Sequence, residues 1–147
     1  MCVLVLNVVD VSRYGIQRME VDSAAHYGAM AAFKTCDLNH LPATSNCPGL
    51  NNAVSSQVTQ TSLGSSVTLS AGAPSEGYYC LTAQNTLQFM GGVGNKPTDC
   101  SAVGNPGVQP VDYLQVQVTY PYSALFPLSV GSLFPTPIVK STLIRMG

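Results

Sequence analysis

The sequence predicts an α+β fold, in which one long N-terminal helix packs on a small antiparallel sheet and a second, short helix follows it. Residues 11–34 contain no proline and repeat their apolar and small residues at helical spacing. Segments 112–120 and 138–146 are β-favouring, and four cysteines precede them in loop-like sequence. We therefore divide the chain into an N-terminal helix, residues 1–35, and a disulfide-bearing α+β domain, residues 36–147.

The long helix is predicted to bury one stripe of its surface. Its members recur in steps of three, four and seven residues, as one face of a helix requires. The stripe consists of Tyr14, Val21, Ala25, Gly28 and Ala32, and Val5 and Val9 are assigned with it to packing or assembly. A second row is predicted to widen it, made of Ile16, Met19, Met30 and Phe33. Because alanine and glycine dominate the middle, we expect another element to approach the helix backbone closely there.

The start of the helix has a different character from the rest. Residues 1–6 are apolar on every side, and a helix of that kind needs an apolar environment. The run is shorter than the roughly 20 residues that span a bilayer. At 1.5 Å per residue the whole helix is roughly 50 Å long, so we expect it to project from the domain. Asp10 and Arg13 are predicted to mark the place where it leaves the apolar environment.

Composition narrows the possible partners. The chain is 46% hydrophobic and 9% charged, against about 25% charged in an average soluble domain. The formal net charge is −1, and the six Lys and Arg residues are scattered along the chain, so nucleic acid is not an expected partner. A weakly charged surface suits a protein that packs among other subunits.

Four of the five cysteines are predicted to form disulfides in an oxidising compartment. Three pairings are possible, and we favour Cys36–Cys47 and Cys80–Cys100, because each pair brackets one loop that contains Pro or Gly. Each bridge is expected to contribute about 3 kcal/mol. Cys2 belongs to the apolar start and is expected to be a buried hydrophobic residue. A zinc site at Cys36, His40 and Cys47 is the alternative, although it lacks an obvious fourth ligand.

The remaining elements follow from local composition. Pro48 is expected in the first turn of a short helix, and Gly64 is expected as its C-cap. The apolar stripe of this helix is Leu50, Ala53, Val54 and Val58. Strands are predicted at 65–71, 78–83, 112–120 and 138–146, with 87–90 continuing or pairing with the second. A turn is predicted at 74–77, and irregular connections are predicted at 91–110 and 121–137. The second connection is apolar, and its Phe126, Leu128, Leu133 and Phe134 are expected to be exposed.

No motif for catalysis stands out, and we predict a protein without enzymatic activity, cofactor or metal. No Ser, Cys or carboxylate lies in a recognisable nucleophile context. The run 91–96 is glycine-rich, but its Lys96 is not followed by Ser or Thr, as a phosphate loop requires. His26 is predicted to be a polar residue at the edge of the helix. Calcium binding by Glu76, Asp99 and Asp112 stays open, although no spaced calcium loop is present.

The helix sequence resembles a known family. The run Val8-Val9-Asp10-Val11-Ser12-Arg13-Tyr14, continuing into residues 24–32, is similar to the helix of TadE-like minor pseudopilins of the tight-adherence (Tad or Flp) pilus, a type IV pilus. The C-terminal segments 116–122, 125–127 and 136–146 are similar too. The resemblance implies a pilin-like fold and a structural, non-enzymatic subunit of a bacterium.

The resemblance also implies a location and partners. It places the chain in the inner membrane with a periplasmic domain, or in the pilus at the cell surface, in contact with other pilus or pseudopilin subunits. Members of the family begin with a leader, a cleavage point and a complete membrane-spanning run. We therefore expect the reading frame to extend upstream of Met1, with about 10 to 15 more apolar residues that complete the span.

A second function remains open from the sequence. The Gly- and Pro-rich loops 91–110 and 121–137 are of the kind that an exported binding module uses to hold a ligand or a surface. Crosslinking in cells separates the two functions, because a pilus subunit captures other subunits, whereas a binding module captures its ligand.

Overall fold

A computed structural model shows the predicted α+β fold, a long N-terminal helix packed on a small antiparallel sheet. The structure describes residues 2–125 and 134–147, and side chains from residue 8 onward within these ranges. The helices are α1 Cys2–Thr35, α2 Ala43–Asn46 and α3 Leu50–Val58. The strands are β1 Thr68–Leu69, β2 Ser75–Leu81, β3 Leu87–Gly92, β4 Val111–Tyr120 and β5 Ile138–Arg145. Short 3-10 turns lie at Leu38–His40, Gly64–Ser66 and Ser101–Val103.

Strand β4 is the centre of the sheet, and all its pairings are antiparallel. It pairs with β5 along its length, from Tyr113 opposite Arg145 to Tyr120 opposite Ile138. On its other side, β2 pairs with the first half of β4 and β1 pairs with the second half, while β3 extends the sheet beyond β2. Burial alternates along β4, with Leu114, Val116 and Val118 in the core. The predictions for β4 and β5 are therefore confirmed.

Helix α3 packs on α1 and closes the core on that side. Its predicted stripe is buried at Leu50, Val54 and Val58. The predicted ends are wrong. The helix begins after Gly49, which has a φ of +89°, so Pro48 lies before the helix rather than in its first turn. It ends at Val58, and Gly64 instead begins a 3-10 turn.

The early strands also differ from the prediction. The strand expected at 65–71 is reduced to the two residues of β1. The turn expected at 74–77 is wrong, because Ser75, Glu76 and Gly77 are the first three residues of β2. Gly77 fits this strand because the ring of Phe89 lies against it. A Cβ atom there would be 2.6 Å from Phe89 Cε2. Strand β3 extends through Gly91 and Gly92, which were expected in the irregular segment.

Candidate functional site

The inner face of α1 forms one wall of the core. Five of the seven residues predicted for packing or assembly are buried on this face, namely Tyr14, Val21, Ala25, Gly28 and Ala32. The closest approach is at Gly28, where a Cβ atom would lie 2.9 Å from Val58 Cγ2 and 3.0 Å from Val116 Cγ1. Both α3 and β4 therefore reach the backbone of α1 at this glycine.

The opposite face of α1 carries large apolar side chains that are exposed. The second row was predicted to widen the buried stripe, and this is wrong, because α3 and the sheet cover only one side of the helix. Its residues are exposed by 56% at Ile16, 64% at Met19, 51% at Met30 and 48% at Phe33. Val9 is 46% exposed, and Val5 lies in α1 with its side chain outside the described part. We call Val8, Val9, Ile16, Met19, Tyr27, Met30 and Phe33 the outer stripe.

The outer stripe is long, and the exposed, paired side chains of Asp22 and His26 lie on the same stretch of the helix. It runs over the helix from Val8 to Phe33, which is roughly 38 Å at 1.5 Å per residue. Two serines on this stretch bond back to the helix, Ser12 Oγ to the Val8 carbonyl at 2.9 Å and Ser23 Oγ to the Met19 carbonyl at 3.0 Å. Exposed apolar surfaces of this extent mark sites of interaction with a protein or a membrane.

A groove of about 480 Å³ lies along the outer stripe near the N-terminal end of the stripe. Its apolar walls come from α1 and from Leu63 on the connection after α3. Glu20 accepts a short hydrogen bond from the Ser62 hydroxyl at the rim. Gln17 also lines the groove, and its Oε1 is buried without a hydrogen-bond partner among the described residues. The groove is thus mainly apolar.

The domain holds α1 up to Asp10, which was expected to mark the departure of the helix from an apolar environment. Asp10 is 1% exposed, and its Oδ1 accepts a hydrogen bond from the Leu125 amide at 3.1 Å. Its carbonyl accepts from the Tyr122 hydroxyl at 3.2 Å. Burial raises the pKa of Tyr122, the charge of Asp10 adds to the rise, and Arg13 opposes it. The sequence signal that could have revealed this contact is a lone carboxylate among valines.

Aromatic side chains complete this attachment. The Tyr14 ring stacks on Phe134 at 4.5 Å between centroids and meets Tyr122 edge-on at 5.1 Å. Phe134 was expected to be exposed, and it is partly buried against the core. The other apolar residues of that prediction, Phe126, Leu128 and Leu133, lie outside the described residues.

Both predicted disulfides are present. Cys36–Cys47 ties the end of α1 to α2, and Cys80–Cys100 ties β2 to the segment after β3. Since Cys36 and Cys47 are bonded to each other, they do not supply thiolate ligands for zinc. Within residues 2–125 and 134–147, no group of three or more His, Cys, Asp or Glu side chains is placed to hold a metal ion.

The three carboxylates considered for calcium do not converge. Glu76 and Asp112 meet at the core side of the sheet, where burial raises the pKa of Asp112 and Glu76 adds to the rise. Asp99 instead accepts hydrogen bonds from the amides of Ser101 and Gly107. A hydrogen bond from the Ser101 side chain and these two amide bonds lower the pKa of Asp99. Asp99 therefore stabilises its own loop.

The outer surface of the sheet carries a row of aromatic side chains, one from each of three strands. Tyr79 on β2 meets Phe89 of β3 at 5.4 Å and Tyr113 of β4 at 5.5 Å, both edge to face. Phe89 is 56% exposed. This row is a second apolar surface, separate from the outer stripe, and sequence reasoning did not predict it.

The fold and its surfaces define a helix-on-sheet domain with an exposed apolar helix face. Among the residues that the structure describes, no helix combines the length and the apolarity that crossing a bilayer requires. Comparisons with protein-family models, curated proteins and solved structures found no match.

Proposed function

We propose that this protein is a TadE-like minor pseudopilin that takes part in assembling a Tad or Flp adhesion pilus in a bacterium. Its role is structural and not enzymatic, and its partners are other pilus or pseudopilin subunits. The start of α1 lies in the inner membrane or in the core of the fibre. Residues 36–147 face the periplasm or the surface of the fibre.

The outer stripe carries this proposal. Helix α1 buries one face in its own domain and exposes large apolar side chains on the other, such as Met19 at 64% and Ile16 at 56%. A subunit that packs its helix among other helices, with its sheet domain directed outward, needs apolar side chains on both faces. Covering the outer stripe removes apolar surface from water, which contributes about 25 cal/mol for each Å². The chain's low charge and its two disulfides suit the same role outside the cytoplasm.

Photocrosslinking in cells tests this function. A crosslinking amino acid at Met19 places the probe in the outer stripe, and one at Ser141, an exposed residue of β5, is the matched control. We expect the probe at Met19 to capture pilus or pseudopilin subunits, identified by mass spectrometry, and the probe at Ser141 to capture few or none. Equal capture from both positions, or no subunit at Met19, would contradict the proposal.

An exported binding module is the second candidate, and the aromatic row on the outer face of the sheet favours it. Tyr79, Phe89 and Tyr113 lie beside the Gly-rich segment that begins at Gly91, so one ligand can contact both. Aromatic rings provide large contact areas in binding sites. A probe at Phe89 that captures a glycan or a soluble ligand, in cells where the probe at Met19 captures no subunit, would favour this function.

A further inference from the structure

The carboxylates of Glu76 on β2 and Asp112 on β4 lie close together beside the start of α2. Asp112 of β4 pairs with Tyr78 of β2 in the register of the sheet, which brings it near Glu76 two residues earlier on β2. Asp112 is 6% exposed. Both carboxylates therefore lie on the core side of the sheet, with Asp112 buried and Glu76 partly exposed. Burial of Asp112 reduces the screening of their charges by water.

The two carboxylates have unequal partners. Glu76 Oε1 accepts from the Ala43 amide at 2.7 Å, and Oε2 accepts from the amide and the hydroxyl of Thr44, both at 2.7 Å. Three donors therefore hold the Glu76 side chain at the start of α2. Asp112 Oδ1, in contrast, is buried and has no hydrogen-bond partner among the described residues. An ionised Asp112 would leave negative charge on an unpaired buried oxygen, so the proton belongs on Asp112.

Other groups around the pair also affect the protonation of Asp112. Burial raises the pKa of Asp112 to about 7, the charge of Glu76 and the hydrogen bond to it add to the rise, and Lys96 opposes it. The Lys96 ammonium lies over the ring of Tyr78, 5.4 Å from its centroid. On the side of β5, Gly147 lies near Asp112, and its main-chain oxygen accepts from Arg145 Nε at 3.2 Å.

We propose that the Glu76–Asp112 pair is a proton-controlled clasp, which holds α2 and the disulfide loop 36–47 on the sheet while Asp112 is protonated. When the proton leaves, two negative carboxylates face each other and the contact of Glu76 with Ala43 and Thr44 weakens. The clasp does not depend on the proposed function. It makes the contact of α2 and residues 36–47 with the sheet sensitive to pH near neutrality. The attachment of α1 at Asp10 is a separate contact.

The direction of the pH effect follows from proton binding. The pKa of Asp112 is higher in the folded protein than the value of about 3.9 for an unfolded chain. The folded state therefore binds more protons than the unfolded state between about pH 4 and pH 7. The stability that this group contributes is fully present below about pH 4 and is lost as the pH rises through about 7.

The test compares wild type with Asp112→Asn, which keeps the shape of the side chain, can still donate to Glu76 and has no proton to lose. Between pH 5 and pH 8.5, hydrogen exchange of the Ala43 and Thr44 amides, corrected for intrinsic rates, reports the state of the clasp. We expect protection in wild type to fall at least tenfold, as a pKa raised by more than one unit requires. In Asp112→Asn, protection should stay nearly constant. Asp99→Asn, a change at an Asp that does not touch the pair, should keep the wild-type profile.

Two further measurements use the wild-type protein, so they test the proposal even if the variant does not fold. Nuclear magnetic resonance of the Asp112 carboxyl carbon should show a titration midpoint near neutral pH. A midpoint below pH 5, or Ala43 and Thr44 protection that is independent of pH, would overturn the clasp. Calcium added at pH 8 should have no saturable effect on protection. A saturable calcium effect would show instead that the pair is a cation site.

Discussion

The two faces of α1 carry very different residues. The inner face, which packs in the core, has its closest contact at Gly28 and is otherwise rich in alanine, with Ala24, Ala25 and Ala32 fully buried. The outer face holds Ile, Met, Tyr and Phe side chains that are about half exposed or more. A domain that folds for itself alone gains most by burying its large apolar side chains. The folding of this chain therefore does not explain the outer stripe, and the proposed assembly of subunits does.

Two tyrosines of α1 provide the sharpest comparison of its faces. Tyr14 is 9% exposed and Tyr27 is 52% exposed. We expect Tyr14→Ala to destabilise the domain by about 3 kcal/mol, because it removes the stacking on Phe134 and leaves a cavity. We expect Tyr27→Ala to change the free energy of unfolding by less than about 0.5 kcal/mol. Urea unfolding of the two variants measures both values.

Equal losses of unfolding free energy in the two tyrosine variants would show that the inner and outer faces of α1 do not differ in burial as described. A large loss in Tyr27→Ala alone would mean that the isolated protein covers its outer stripe, for example by self-association. Repeating the unfolding at two protein concentrations separates that case, because the stability of a self-associating protein depends on concentration.

A smaller effect is expected at the closest contact of the inner face. Gly28→Leu places a side chain where a Cβ atom alone would lie within 3.2 Å of three valines, Val54, Val58 and Val116. Valine side chains are stiff, so the three elements must separate to make room. We expect a loss of about 1–3 kcal/mol in the free energy of unfolding. A thermal melt that matches wild type would show that α3 and β4 do not approach the helix this closely.

The elements with a strong periodicity were predictable from the sequence. Strand β4 alternates its apolar residues over enough length to establish both the type of element and the buried face. Helix α1 was predictable as a helix, but its buried face only in part, because apolar side chains also lie on its exposed face. The start of β2 was not predictable, because its local composition favours a turn. Gly77 is extended there because Phe89 packs over it, and Glu76 because its carboxylate binds the start of α2. Both causes come from residues distant in the sequence.

The candidate site was predictable only in part. Periodicity assigns Met19 and Met30 to a face of the helix, but it does not show whether another element covers that face. How much of the α1 surface is covered depends on how α3 and the sheet are arranged around it, which is a property of the whole fold. The bridges between Cys36 and Cys47 and between Cys80 and Cys100 were easier to predict, because each closes a single loop.

A smaller change than at Gly28, and of the opposite sign, is expected on the outer side of α1. Gly15 lies inside the helix, and a Cβ atom placed there would meet nothing within 4 Å. Glycine in a helix interior costs about 0.5–1 kcal/mol relative to alanine, because it loses more backbone entropy on folding. We therefore expect Gly15→Ala to raise the free energy of unfolding of the isolated protein by about that amount, measured by urea unfolding. A loss instead of a gain would mean that this position is already covered in the isolated protein. If Gly15→Ala is stabilising and yet impairs pilus formation in cells, a partner helix approaches α1 at this glycine, and the outer face then has a close contact of its own, as the inner face has at Gly28.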